Sequence, residues 1–188
     1  MEMDQESTAA AADLAATDLM ATDSATPRLP TGHPTSEGKR QDGRRHGRWT
    51  WWHANGQRWA TGEFVAGVKQ GLWTYWYANS RKDCEGEYVD GRKQGLWTYW
   101  RQNGQLDAQG SYSAGMEDGP WIDWHDSGHV EERGEYRQGR KIGVWDYWSE
   151  TGGSHWQKDH GTPVADLVPD IERHDQTTEP LRMEKDDP

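Results

Sequence analysis

KQGLWTYW occupies residues 69 to 76 and recurs, letter for letter, at residues 93 to 100. Two identical words set 24 residues apart point to a repeated structural unit. Inside the word, Trp73 and Tyr75 alternate with Thr74 and Trp76, which is the two-residue period of a β-strand.

Working outward, rows begun at Gly43, Gly67, Gly91, Gly115 and Gly139 align without gaps for four periods of 24, and a fifth row decays near its end. Position 1 of each row is glycine. Position 5 is glycine again (Gly47, Gly71, Gly95, Gly119, Gly143), so the GxxxG segment reads as a connector between strands. Tryptophan follows at position 7 (Trp49, Trp73, Trp97, Trp121, Trp145) and at position 10 (Trp52, Trp76, Trp100, Trp124, Trp148). Positions 13 and 14 carry Asn55-Gly56, Asn79-Ser80, Asn103-Gly104, Ser127-Gly128 and Thr151-Gly152, the composition of a tight hairpin turn. Each row therefore predicts two short strands and two turns.

A two-residue loop at Asn-Gly pairs position 7 with position 20 and position 9 with position 18. Trp73 then faces Gly86 and Tyr75 faces Cys84. The same arithmetic sets Trp49 against Gly62, Trp97 against Gly110 and Trp121 against Gly134, giving each in-strand glycine a purpose: it leaves room for a flat indole. Position 10 has the opposite parity, and its expected partner at position 17 is Trp59, Asp83, Asp107, Glu131 or His155. One tryptophan per row thus looks out among polar neighbours, in a ladder whose rungs lie roughly 10 Å apart. Row five, which ends TGGSHWQKDHG, lacks the Gly-Glu-Tyr of rows two and four, and Pro120 and Asp123 mark row four as different from rows two and three.

The pattern GxxxGxWxxW, then Asn-Gly, then Gly-Glu-Tyr, as in GVKQGLWTYWYANSRKDCEGEY, resembles the MORN repeat (membrane occupation and recognition nexus), in particular its Trp-rich bacterial variant. The resemblance covers about residues 43 to 156. It implies an all-β chain, an elongated single-layer antiparallel meander of about five hairpins. It also implies a binding role, which in the bacterial variant includes antitoxins of toxin-antitoxin pairs.

Composition bounds the rest. The 188 residues carry a net charge of -11 and include 13 Trp, 7 Tyr and one Phe, all of them between Trp49 and Trp156. Residues 1–42, acidic and Ala-rich with a short basic junction, and the acidic residues 162–188 therefore read as disordered tails around an array at 43–161, with VADLVPDIER (164–173) the one apolar cluster outside it. The array itself is near neutral, which argues against nucleic-acid binding. One cysteine, the absence of a basic and apolar leader pattern, and no apolar run of spanning length lead to the expectation of a cytoplasmic protein.

Nothing in the chain matches a phosphate loop, a GxSxG elbow, an HExxH helix or a dinucleotide fingerprint, so no enzyme, cofactor, metal or small-molecule substrate is expected. His125 and His129 straddle a turn rather than share a helical face, and Cys84 stands where other rows have Ala60 and Ala108, as a packing residue. Two surfaces remain. The position 10 tryptophans are candidate contacts for a protein partner, with an antitoxin or immunity role as the sharpest form of that reading. Arg44, Arg45, Lys69, Arg92, Lys93, Arg140 and Lys141 are candidate contacts for anionic lipid in the inter-hairpin turns, interrupted in row four by Glu117 and Asp118. Carbohydrate or cell-wall binding is the third alternative, through a superficial likeness to other short aromatic hairpin repeats.

Overall fold

Alternating aromatic and polar residues bounded by glycine turns favour strands over helices, and in the computed structural model every row supplies two. The structure describes residues 28–30, 32 and 34–161. The tryptophan words form β2 (Arg44–Trp52), β4 (Val68–Trp76), β6 (Arg92–Trp100), β8 (Met116–Trp124) and β10 (Arg140–Trp148). The return strands are β3 (Arg58–Val65), β5 (Lys82–Val89), β7 (Leu106–Ser113), β9 (Val130–Arg137) and β11 (His155–Asp159). A further strand, β1 (Ser36–Gln41), precedes them. All eleven make one open antiparallel sheet in chain order, the meander that the repeat predicts.

The sheet starts ahead of the first row. Ser36–Gln41 falls in the stretch that composition assigns to the N-terminal tail, yet β1 pairs along β2 with Gly38 opposite Trp49. It is the second strand of an otherwise missing row, polar and without aromatics, so only Gly38 and the turn Asp42-Gly43 betray it. Of the expected tails, residues 1–27, 31, 33 and 162–188, including 164–173, lie outside the described residues.

The two turns are interchanged relative to expectation. The tight two-residue turns sit at the row boundaries, Asp42-Gly43, Ala66-Gly67, Asp90-Gly91, Ala114-Gly115 and Gln138-Gly139, where both residues have positive φ. At the Asn-Gly end of row one the loop has three residues instead: His53 N–H donates to Gln57 O at 2.7 Å, Gly56 N–H donates to His53 O at 2.8 Å, and Gly56 takes φ +83°. The glycine at position 5 is not part of a connector. It lies inside a strand at positive φ, and between Thr61↔Thr74 and Glu63↔Gln70 the residues Gly71, Leu72 and Trp73 all stand against Gly62. That is a bulge, which bends the strand and increases its twist.

A second bulge beside the three-residue loop compensates for the changed loop length. Trp73↔Gly86 and Tyr75↔Cys84 pair as expected, but position 17 is then skipped and Trp76 pairs with Lys82. Position 10 accordingly faces Arg58, Lys82, Leu106 and Val130 in the first four rows; in row five Trp148 faces His155, the partner expected from the spacing.

The core is a layer of rings on one side of a single sheet. Trp73, Tyr75, Trp97, Tyr99 and Trp145 are all buried, with Trp97 and Trp145 completely so. Each indole meets the position 22 rings beside it edge-on, as in Phe64 to Trp73 at 5.1 Å and Tyr88 to Trp97 at 5.1 Å. The indole above each glycine is not the one in register with it. A Cβ on Gly86 would overlap the ring of Trp97, and one on Gly62, Gly134 or Gly38 would overlap Trp73, Trp145 or Trp49. Each position 7 indole therefore lies back across the previous row. Except in row four, its N–H donates to the previous row's position 21 carbonyl: Trp73 to Glu63 O at 3.2 Å, Trp97 to Glu87 O at 3.1 Å, Trp145 to Glu135 O at 3.1 Å.

The loops are tied between rows as well. The Nε2 of His53 and of His125 lie 2.7 and 2.8 Å from Trp76 O and Trp148 O, and Tyr77 Oη donates to Trp100 O at 2.7 Å, so position 11 repeatedly bridges to the next position 10 carbonyl. At the other edge Gly67, Gly91 and Gly115 N–H groups donate to Arg45 O, Lys69 O and Lys93 O. Stability is thus carried between adjacent rows, as in other one-dimensional arrays.

Row five keeps more of the pattern than its letters suggest. His160 stands at the position of Tyr88 and Tyr112, edge-on to Trp145 at 6.1 Å, with its Nε2 2.9 Å from Tyr147 Oη. The glycine is replaced by Lys158, on a strand all of whose residues are exposed. No indole follows, so none needs the space.

Candidate functional site

Parity divides the side chains between two faces with different chemistry. On the face away from the ring layer, Trp52, Trp76, Trp100, Trp124 and Trp148 are all half-buried, one per row. Cations lie against three of the rungs: the Arg58 guanidinium is 5.1 Å from the Trp76 ring centre, Lys82 Nζ 5.3 Å from Trp100, and the Arg133 guanidinium 5.1 Å from Trp148. Trp148 also stacks on His155 at 4.9 Å. Between Trp52 and Trp76 lies a shallow notch of about 300 Å³, lined in addition by Gly56, Gln57, Arg58 and Ser80.

Position 6 shares the parity of position 10 and adds a second rail to this face. Leu72, Leu96 and Val144 at position 6 are 60%, 59% and 55% exposed. Between the rails Thr74 and Thr61 are buried, and Thr50 Oγ1 lies 3.3 Å from Thr61 Oγ1. The result is an aliphatic rail and an indole rail running parallel along a threonine floor. Spacing discloses the indole rail; the aliphatic one has the same parity, and the sequence reading did not single it out.

The basic residues do not come together as one stripe. Arg44, Arg92 and Arg140 are exposed at the first residue of their strands. Arg45, Lys69, Lys93 and Lys141, one residue on, fold over the ring layer instead. Lys69 Nζ is 4.8 Å from Trp73, 5.6 Å from Tyr75 and 4.6 Å from Tyr88, and it donates to Tyr75 Oη at 3.0 Å. Lys93 repeats this over Trp97, Tyr99 and Tyr112, at 4.9, 5.7 and 5.1 Å. Arg45 covers Trp49, Trp51 and Phe64, and Lys141 covers Trp145 and Tyr147. Each of these cations is worth about 0.5–2 kcal/mol to the rings beneath, depending on its desolvation.

Row four departs from this rule at three adjoining positions. Glu117 replaces the lysine, Asp123 the tyrosine, and Glu132 the small residue opposite, with Asp123 and Glu132 directly paired across β8 and β9. The Trp121 indole is turned so that its N–H donates to Asp123 Oδ1 at 3.1 Å rather than to a backbone carbonyl. Burial, with the neighbouring Glu132 carboxylate adding to it, raises the pKa of Asp123 to about 7. Glu132 is ion-paired with Lys141. Glu117 accepts from Tyr112 Oη at 3.4 Å. Burial, together with the carboxylates of Glu132, Asp123 and Glu117, holds the Tyr136 phenol above its ordinary range. The sequence marks Asp123 and Glu117 as exceptions but not their meeting point, which needs the register.

Among the described residues no group of three or more His, Cys, Asp or Glu could hold a metal ion. None of the described helices is long and apolar enough to cross a membrane, the described chain being all strand and turn. Fold and surface together define a one-layer β-hairpin repeat protein. More particularly, two of its rows are similar to the MORN repeat: a family model of the MORN repeat variant matches residues 45–66 and 93–114, and both matches run from position 3 to position 24 of their rows. None of the curated proteins compared with the chain matches it.

Proposed function

We propose that the chain is a non-catalytic cytoplasmic scaffold that holds a protein partner on the two-rail face, and that the partner is a toxin enzyme which it neutralises. The observation that carries this reading is the pair of rails: Leu72, Leu96 and Val144 exposed beside five half-buried indoles, on a rigid sheet whose opposite face is already filled by its own rings. Aromatic and aliphatic side chains held in fixed positions make good interface anchors because little conformational entropy remains to be lost on docking. The antitoxin part of the reading rests on the resemblance to the Trp-rich variant.

Affinity capture with the full chain and with a Trp76→Ala, Trp100→Ala variant tests it. A partner recovered by the first and at least tenfold depleted from the second supports the ladder, provided the variant remains folded. Equal recovery removes the ladder from the account. Binding to anionic lipid is the weaker alternative, since four of its seven candidate contacts lie over rings; flotation with anionic vesicles, lost on neutralising Arg44, Arg92 and Arg140, would revive it. The notch between Trp52 and Trp76 is the feature that keeps a carbohydrate reading in view, and glycan binding abolished by Trp52→Ala would favour it.

A further inference from the structure

Four rows of the ring layer carry their own cation. In each, a position 3 side chain reaches over the position 7 indole and the ring at position 9: Arg45, Lys69, Lys93 and Lys141. Row four has the same frame, with Trp121 buried and Tyr136 5.5 Å away and edge-on to it. Its position 3 residue is Glu117, so the cation is missing. Where Tyr75 and Tyr99 offer a hydroxyl to the lysine Nζ, row four offers the Asp123 carboxylate, with Glu132 directly across from it. Three changes in one row convert a filled cation seat into an empty one of greater negative charge.

Among the described residues no cation lies over Trp121 or Tyr136. Lys141 is ion-paired with Glu132 while lying over its own rings, Trp145 and Tyr147. The donors given to Asp123 and Glu117 are the neutral Trp121 N–H and Tyr112 hydroxyl, and among the described residues neither carboxylate has an ion-pair partner. Asp123 and Glu132 are paired across the strands with Lys141 acting on both, and burial together with the Glu132 carboxylate keeps the pKa of Asp123 high in spite of that one ammonium.

We propose that Trp121, Tyr136, Asp123, Glu117 and Glu132 form a receptor for one lysine side chain presented by a partner protein. A primary ammonium suits it better than a quaternary one, because it can donate to the carboxylates as well as lie on the rings, as Lys69 and Lys93 do with hydroxyls in their own rows. The inference deepens the partner-binding reading but occupies the opposite face of the sheet, so the two can fail separately: loss of the ladder leaves the Trp121 response intact, and the reverse.

The test uses the full-length chain, with indole N–H signals followed by NMR during titration with N-acetyl-lysine methylamide, and the uncharged norleucine analogue as control. The expected result is a saturable shift of Trp121 at millimolar probe, none from norleucine, and no response from Trp73 or Trp97, whose seats are taken. Glu117→Lys combined with Asp123→Tyr restores the row three residues at positions 3 and 9 and should abolish the response while keeping the dispersed indole spectrum. Lys93→Ala should do the opposite and make Trp97 responsive, with an affinity at least tenfold weaker for want of carboxylates. A silent Trp121, an unresponsive Trp97 in the opened row, or an unchanged response in the rebuilt row would each overturn the proposal. A Trp121 shift obtained with phosphocholine vesicles but not with the lysine probe would overturn it in favour of a lipid headgroup.

Discussion

Rows three and four make the most instructive comparison in the molecule. They share the glycines, both tryptophans, the strand lengths and the hairpin register, so Trp97↔Gly110 and Trp121↔Gly134 pair identically. On the ring layer they are opposites: Lys93 caps Trp97, Tyr99 and Tyr112, whereas Glu117, Asp123 and Glu132 crowd around Trp121 and Tyr136. The fold tolerates the exchange because its shape is set by other positions. Turn glycines, bulge glycines and the position 7 indole define the row, and positions 3, 9 and 18 are free to carry chemistry.

The comparison can be broken most severely by removing what the two rows share. Trp97→Ala should cost about 3–5 kcal/mol, since it empties a completely buried site and severs the link to Gly86; urea denaturation measures it. Gly86→Ala should cost about 1–3 kcal/mol by the same measurement, because the new Cβ must displace a rigid indole hemmed in by Tyr88 and Tyr99. The exchange of Glu117→Lys with Asp123→Tyr should raise stability, by about 1 kcal/mol or a few degrees in Tm, if row four has given up stability for a ligand seat.

Asp123→Asn sharpens the same point through pH. The folded carboxyl titrates near 7 and the unfolded one near its ordinary value, so between those limits the native state holds the extra proton. Stability conferred by that proton is present at low pH and declines as pH rises through about 4 to 7. The asparagine variant should lose this slope: its Tm should fall less than that of the parent between pH 5 and pH 8, by a few degrees. The smallest effect is expected at Lys158→Gly, within about 0.5 kcal/mol, because no indole lies over that position.

The fold was largely legible because its period is strict and its pairing obeys simple parity. Two features escaped for one physical reason, the mutual compensation of bulges. The three-residue loop and the skipped position 17 shift the register in opposite senses, so counting from Asn-Gly gives the right partner for Trp73 and the wrong one for Trp76. The indole above Gly86 was assigned to Trp73, its partner in register, whereas it comes from Trp97, because the position 5 bulge slides the next strand back over it. His160 hid for a chemical reason, being an aromatic ring that reads as a polar letter. Of the candidate sites, the indole ladder follows from parity alone, and the meeting of Asp123 with Glu132 is contained in the pairing of position 9 with position 18; what the letters leave out is the turned Trp121 indole and the approach of Glu117 to the same rings.

The glycine at position 20 carries information about what comes next. Each one is shaped by an indole that comes later in the chain, in the row that follows, so the array has a direction, and its ends are not equivalent. Lengthening such a chain by copying a whole row is harmless wherever a glycine already awaits an indole, at Gly38 through Gly134, but beyond Lys158 an added row would meet a charged side chain where its tryptophan must lie. That single lysine works as a stop signal, written in packing rather than in the genetic code.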